Sequence, residues 1–490
     1  MKKYPNIRIH LSRFLFVLGF IASLLFSITP PKAFSKELFD VGFVIILFCV
    51  FVFFRFSQRS SLNGYWLKPS NLFLLAFLAV NFQYLLDFRL GLKTSSSSNI
   101  LHTSVLNHCF LLGLVGLLAF VAGYLRSFSE EKKRRKNREG TGLDLRMPDS
   151  VRFPITVLHA MVFGVFLYSI DMSSFLSGES YGESMTTYAH VEKLLGAMNA
   201  AVVLCAAIKT KEGGSVKSYL ASFPIVSLIV LGAYMLLRLI SGDRGPFVYT
   251  ALLIFYGFAF VNRKRYKLIT TILILLIGAS SMAVIGIARS LDLSQGFLSR
   301  VSDASDAFAS RGRFGDKSIS PLTDELGFSF VVNQTDVYAI EVEEESLHPG
   351  TYLIISILNG IPFVPGLITR AFHISYEDFS STGFANVHFF HSLDRTWSIG
   401  TTIVGDFYLQ FSVWGVLLGL FLAGLIMKEI DLALYVRDKK KISMALLLFA
   451  LVYSSKCLYI PRSLLFGELA TFIMAFLILF VLNFLFAKKR

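Results

Sequence analysis

Residues 401–427 read TTIVGDFYLQFSVWGVLLGLFLAGLIM, a run with one carboxylate, Asp406, and no basic residue. About 20 mostly apolar residues let a helix cross the hydrocarbon of a bilayer. The run is long enough to do so, and Asp406 inside it is expensive and needs a partner. The segment before it is of another kind. Residues 289–400 hold Arg289, Arg300, Arg311, Arg313, Arg370 and Arg395, four histidines (His348, His373, His388, His391) and many acidic side chains. A long polar stretch between two membrane runs is where chemistry is expected, because the runs themselves are committed to lipid and packing.

The rest of the chain repeats the apolar pattern. Of 490 residues, 54% are hydrophobic and 16% charged, where soluble domains carry roughly a quarter charged. Mean hydropathy is +0.61. Runs of spanning length fall near 13–29, 38–56, 70–87, 103–125, 153–170, 191–208, 219–240, 247–261, 268–288, 401–427, 442–460 and 464–487. The expected fold is all-α: a polytopic integral membrane protein of about twelve transmembrane helices with one large external loop. Residues 1–288 carry nine spans, 289–400 the loop and 401–490 three more spans. The first run, Phe14–Ile28, leads into TPPK with no small-residue cleavage site, so it reads as a membrane helix rather than a signal peptide. All four cysteines lie inside apolar runs, which predicts neither a disulfide nor a cysteine-held metal.

Charge sets the orientation. With the N-terminus in the cytoplasm, alternation puts Met1–Arg13, Arg55–Lys68, Arg126–Arg152, Lys209–Lys217, Arg263–Lys267, Lys428–Lys441 and Lys488–Arg490 on the same side. These segments hold about two thirds of the Lys and Arg. The net charge of +14 is thereby explained by topology, and EEKKRRKNR (Glu130–Arg138) reads as a cytoplasmic loop near anionic lipid, not as a nucleic-acid site. Both termini are expected in the cytoplasm, and the 289–400 segment outside. The outer compartment has no ATP, so an enzyme there needs a substrate that arrives activated, or a gradient.

On that outer face SGDRGPF (Ser241–Phe247) joins two spans by a tight turn. Its glycines free the backbone and Pro246 can start a helix, which holds Arg244 beside a helix N-terminus, a place that favours phosphate. An arginine snorkelling to the headgroups explains the same residue equally well. Arg238, one turn inside the apolar run, needs a partner, with Asp243 or an acid from another helix as the choices. ASRGRFGD (309–316) offers Arg311 and Arg313 on an open loop able to wrap a pyrophosphate, or a loop balanced by Asp303, Asp306 and Asp316. HPGTYLIISILNGIPFVPG (348–366) reads as a surface or re-entrant helix stopped at Asn359–Pro362, with a bundle-packed helix as the competitor. In VHFFHSLDRTWSIGTTIVG (387–405), His388, His391 and Asp394 are three apart, with Arg395 next to Asp394. A metal is one use of that spacing, but no HExxH or cysteine cluster supports it, and a general base beside a phosphate-binding arginine fits better. No metal, cofactor, Walker A loop, catalytic serine motif or dinucleotide fingerprint is indicated.

Three segments together resemble the bacterial O-antigen (repeat-unit) polysaccharide polymerases, the Wzy-like family. They are SGDRGPF at 241–247, GTYLIISILNGIP at 350–362, and the stretch from STGFANV (381–387) through the helix carrying Asp406, Tyr408, Phe411 and Gly415. The family more usually has Glu where Asp406 stands, and it often has two Arg-bearing outer loops where this chain has one. The resemblance spans roughly residues 220–430. It implies a membrane-integral glycosyltransferase of the bacterial inner membrane that joins undecaprenyl-pyrophosphate-linked oligosaccharides into O-antigen, capsular or exopolysaccharide chains. It implies membrane lipids, a chain-length regulator and a flippase as partners, and inversion without metal.

That chemistry asks for cations on the leaving pyrophosphate and for a base on the acceptor hydroxyl. Arg244, Arg289 and Arg395 are the first choices for the pyrophosphate, Arg311 and Arg313 the second. His391, Asp394 and Glu377 are the choices for the base. The rivals are a flippase or other transporter for the same lipid-linked units and an O-antigen ligase. A dolichol-type mannosyltransferase is a further one, but the first outer loop offers Glu37 and Asp40 without an adjacent acidic pair. Against transport, there is no internal repeat. A cysteine introduced at Ser318 is expected to react with a membrane-impermeant maleimide added from outside the cell; labelling only from the cytosolic side reverses the orientation.

Overall fold

The computed structural model describes residues 5–29, 35–58, 62–92, 103–137, 149–170, 172, 175, 185–241, 243–288, 299–305, 324–358, 364, 380–389, 400–436 and 442–486. Among them there is no strand, only an isolated bridge between Tyr65 and Tyr266. All twelve apolar runs are helical. They form α1 (Pro5–Ile28), α2 (Lys36–Ser57), α3 (Pro69–Arg89), α4 (Leu106–Asn137), α5 (Asp149–Ser169), α6 (Met185–Lys209), α7 (Ile225–Ile240), α8 (Arg244–Asn262) and α9 (Leu268–Ala288). The segment that reads as polar contributes α10 (Phe330–Glu341), α11 (Thr351–Leu358) and α12 (Ser381–Phe389). The last three apolar runs form α13 (Ile403–Tyr435), α14 (Met444–Ser455) and α15 (Gly467–Phe486). Among the described residues ten helices reach spanning length; α7 and α14 are apolar but shorter, with 16 and 12 residues.

The bundle is built round α4. Every residue of its spanning window is buried, and α1, α2 and α13 pack on it. Where α4 and α13 cross, Gly123 lies against the Phe421 carbonyl and Gly424 against that of Phe120, so there is no space for a Cβ on either. Small residues let membrane helices meet backbone to backbone, which replaces the hydrophobic drive that lipid cannot supply. A second group, α5, α6, α7, α8, α14 and α15, joins the first where α8 and α14 touch α13. α9 lies at the edge, with Ile269, Leu273 and Ile277 exposed as a lipid-facing helix requires.

The two ends of the bundle differ in charge as the loop reading expects. At one end the Arg8 guanidinium sits 5.8 Å from the Phe56 ring centroid, and Ser12 donates to the Ala122 carbonyl. There too Arg265 stacks on Tyr65, whose ring is 4.5 Å from that of Tyr435. Arg152 donates to the Ser222 carbonyl at this end as well. Among the described residues, Arg8, Arg265, Tyr65 and Tyr435 come from segments that the alternation groups together. The other end gathers the Arg89–Asp40 pair at 2.9 Å and the 35–40, 107–108 and 341 positions.

Two helices are interrupted. In α3 a π turn at Ala79–Gln83 frees a carbonyl, and the Asn81 amide donates to Phe77 O at 3.0 Å to satisfy it. In α13 the helix breaks at Phe411 and Ser412; Ser412 has φ 56 and ψ −159, a conformation costly for a residue with a Cβ. The arms 403–410 and 413–435 fold against each other, with Gly415 on the Phe407 carbonyl.

Gly424→Ala should force α4 and α13 apart and lower unfolding stability by about 1–3 kcal/mol, read as an earlier thermal transition of the detergent-solubilised chain.

Candidate functional site

The polar segment folds inward. In α10 the run Asn333–Asp336 is buried end to end, inside a helix whose apolar residues Val331, Val337 and Ala339 are buried as well. Polar side chains at both ends hold it in place. At its start Asn333 donates to Asn81 Oδ1 at 2.9 Å, on the π turn of α3, and its own Oδ1 accepts from the Thr402 hydroxyl. Thr402 is also the N-cap of α13, accepting from Gly405 N at 2.9 Å. At its far end Glu341 faces His108 Nδ1 of α4 at 2.5 Å and accepts from the Tyr408 hydroxyl at 2.8 Å. α10 is thereby fixed to α3, α4 and α13 at once.

Between those anchors stands Asp336. It is fully buried, and neither oxygen has a hydrogen-bond partner among the described residues. Its carboxyl lies on Gly405, where any Cβ would collide with it. Among the described residues, the charge that acts on it is that of another carboxyl, Asp406. Burial holds the Asp336 carboxyl well above the usual carboxylate range, and the charge of Asp406 raises it further. Asp406 is 3% exposed and accepts from the Gln410 amide at 3.1 Å. The sequence expectation of a partner for Asp406 is thus met by an amide, not by a cation, among the described residues. Ser381 of α12 is buried beside it.

A group of rings leads away from the pair. The Tyr352 ring, buried on α11, lies 5.2 Å from His348, which lies 5.6 Å from Phe384; His388 is 4.3 Å from Phe384 and pairs with Glu343 at 3.1 Å. Partial burial pushes the His348 imidazolium down; Glu345 opposes that shift and His388 adds to it. Backbone bonds tie this region to α13: His348 N donates to Leu409 O and Leu353 N to Gln410 Oε1.

A cationic group lies at the head of α6, α8 and α15. Arg238, buried, pairs with Glu192 and with Asp243 at 3.1 Å and is ringed by Phe166, Phe175 and Tyr234. Both partners that the sequence offered for it, Asp243 and an acid from another helix, are used. Arg244 is half-buried and opens α8, with Asp243 in the N-cap position. Farther along α8, Tyr249 carries the Lys456 ammonium 3.7 Å from its ring centroid, and Lys456 pairs with Glu468 at 3.1 Å. Arg462 lies on the same short connection between α14 and α15.

Of the residues picked from sequence, the structure places Arg244. Arg289, Arg311, Arg313, Glu377, His391, Asp394 and Arg395 fall outside the described residues. The 348–366 reading covers α11 at Thr351–Leu358, which packs on α13 and α15 with Ile354 and Ile357 exposed; its expected stop at 359–362 also lies outside. Sequence reasoning missed Asp336, Glu341, His108 and Lys456. A signal existed for the first two: FVVNQTDVYAIE puts four polar residues in the middle of an apolar helix-length run, a pattern of polar groups turned into a protein interior. Lys456 was hidden because it falls within an apolar run.

These features define an all-helical polytopic membrane protein with a buried polar site at the end opposite its basic loops. The family model described as O-antigen polysaccharide polymerase Wzy matches residues 7–490, and the chain belongs to that family. The likeness seen from three segments thus extends over nearly the whole chain. No curated protein and no solved structure matches it.

Glu341→Ala leaves His108 without its acid and releases one end of α10. Leaving buried hydrogen-bonding groups without their partner costs about 1–3 kcal/mol, so the thermal transition of the purified chain should fall.

Proposed function

We propose that this O-antigen polymerase family member joins oligosaccharide repeat units carried on undecaprenyl pyrophosphate, at the outer face of the bacterial inner membrane. The observation that carries the reading is the placement of the polar site at the bundle end away from the basic loops. Basic loops stay in the cytoplasm, so on this reading both termini lie inside and the polar site belongs to the outer end of the bundle. The growing chain leaves its carrier and passes to a sugar hydroxyl of the next unit. No cofactor or metal is required, because the pyrophosphate ester already stores the driving force.

Two groups of residues divide the work. Arg244, Arg289 and Arg395 neutralise the leaving pyrophosphate, with Arg311 and Arg313 in reserve; cations fixed where charge develops are the main lever in such a transfer. Supporting Arg244 in that role are the α8 N-terminus, which adds its partial positive charge, and the Lys456 and Arg462 side chains on the neighbouring connection. The acceptor hydroxyl must lose its proton to a base. His391, Asp394 and Glu377 are the sequence's choices, and Asp336 is the described carboxyl suited to the task. A chain-length regulator and a flippase are proposed as partners.

Arg244→Ala, Arg289→Ala and Arg395→Ala should each shorten the polysaccharide made in cells at matched protein level, with turnover down about 10²-fold. Unchanged chain length in all three removes the pyrophosphate role. Purified chain given only the lipid-linked unit in detergent should lengthen glycan, which a flippase cannot do.

A further inference from the structure

We propose that Asp336 is the general base of the glycosyl transfer, taking the proton from the attacking hydroxyl of the acceptor sugar, with Asp406 as its positioning partner. The proposal rests on the polymerase reading above and adds to it the residue that moves the proton.

Asp336 does nothing to hold the fold. Its neighbours Asn333, Glu341, Thr402 and Tyr408 are each tied across helices, while both Asp336 oxygens are buried without a hydrogen-bond partner among the described residues. An unpaired buried acid destabilises its surroundings. A scaffold this well anchored round an idle carboxyl matches a site whose partner is the substrate. The second carboxyl, Asp406, faces it with no cation among the described residues between them. Two buried carboxyls in one site cannot both carry charge easily, so a carboxylate there takes up a proton readily.

The lining also suits a sugar. Ser381 offers a hydroxyl, and Gln334, two residues before Asp336, a buried amide with neither atom hydrogen-bonded among the described residues. The rings of Tyr352, His348 and Phe384 run from the acid pair toward the surface, ending at His388 and Glu343. Rings with amides and acids behind them are the groups that hold saccharide faces and hydroxyls. In the step itself the acceptor O–H bond breaks and its proton goes to Asp336. The freed oxygen pair forms the bond to the anomeric carbon. The anomeric carbon–oxygen bond to phosphate breaks, and its electron pair leaves on the carrier pyrophosphate.

The test uses the full chain in lipid nanodiscs, with undecaprenyl-pyrophosphate-linked repeat unit extracted from cells lacking this chain. If the wild type does not lengthen that probe, the polymerase reading has failed and not this assignment. Given an active wild type, Asp336→Asn should lose about 10²-fold or more in turnover, bind the probe as before, and unfold at the same or a higher temperature. Asp336→Glu should recover part of the rate. Asp406→Asn should move the acid limb of the rate profile to lower pH, because removing the neighbouring charge lets Asp336 ionise sooner. Tyr408 of α13, Tyr352, His348, His388, and His108 and Cys109 of α4 also border this region and stay unchanged in that comparison. Asp336→Asn keeping more than a tenth of the wild-type rate, or an acid limb unmoved in Asp406→Asn, overturns the proposal. An Asp336→Asn chain that fails to fold contradicts the claim that the carboxyl holds nothing, and the Asp406→Asn profile then decides its role.

Discussion

Asp431 sits wholly inside the bundle and accepts hydrogen bonds from the Ser70 hydroxyl at 2.6 Å and the Tyr124 hydroxyl at 2.8 Å, with the Lys68 ammonium 3.1 Å from the same tyrosine oxygen. Burial pushes Lys68 down to about 8 even with Asp431 beside it. The constraint expressed there governs the whole molecule: a charge taken out of water must meet an opposite charge or a set of dipoles. Lys428 adds its ammonium 5.4 Å from the Tyr124 ring, so the cluster stitches α3, α4 and α13 together at the basic end. Arg238 with Glu192 and Asp243 joins α6, α7 and the start of α8. Glu341 with His108 and Tyr408 joins α10 to α4 and α13. Each buried charge doubles as a cross-link, because its partner nearly always comes from another helix.

Seen through that constraint, the Asp336–Asp406 pair stands apart. It gathers two acids where the rule asks for one acid and a cation. Asn333, Thr402, Glu341 and Tyr408 anchor the helices around it, and Gly405, lacking a Cβ, leaves space for the Asp336 carboxyl. Buried charge is therefore present at both ends of the bundle: Asp431 at the basic end has Lys68 beside it, whereas Asp336 and Asp406 have no cation partner among the described residues. That asymmetry gives a direction to a molecule whose apolar helices have none.

The break in α13 belongs to the same end. Ser412 takes a backbone conformation that a continuous helix never uses, and the short arm 403–410 turns back to carry Asp406, Tyr408 and Gln410 against α10 and α11. Irregular backbone at membrane depth is tolerated only where protein covers it. Here α10 and α11 supply that cover, and they come from the polar segment that the apolar runs enclose.

The sequence by itself settled the class of fold and the grouping of its loops, because the length of an apolar run and the sign of the residues flanking it are local quantities. It also marked Arg238 as needing an acid and named one of the two it uses, Asp243. It pointed at SGDRGPF and at the helix with Asp406, enough to indicate the polymerase family. What only the tertiary structure decided is the site. Asn81, His108, Asp336, Tyr352 and Asp406 come from five separate helices, and no spacing along the chain links them. Whether an acid in an apolar run is a costly residue beside its cation or an open carboxyl beside another acid depends on which helix packs opposite. That is fixed by the closeness of Gly123 to Phe421, the π turn in α3 and the fold-back at Ser412, none of which is a property of any one stretch of sequence.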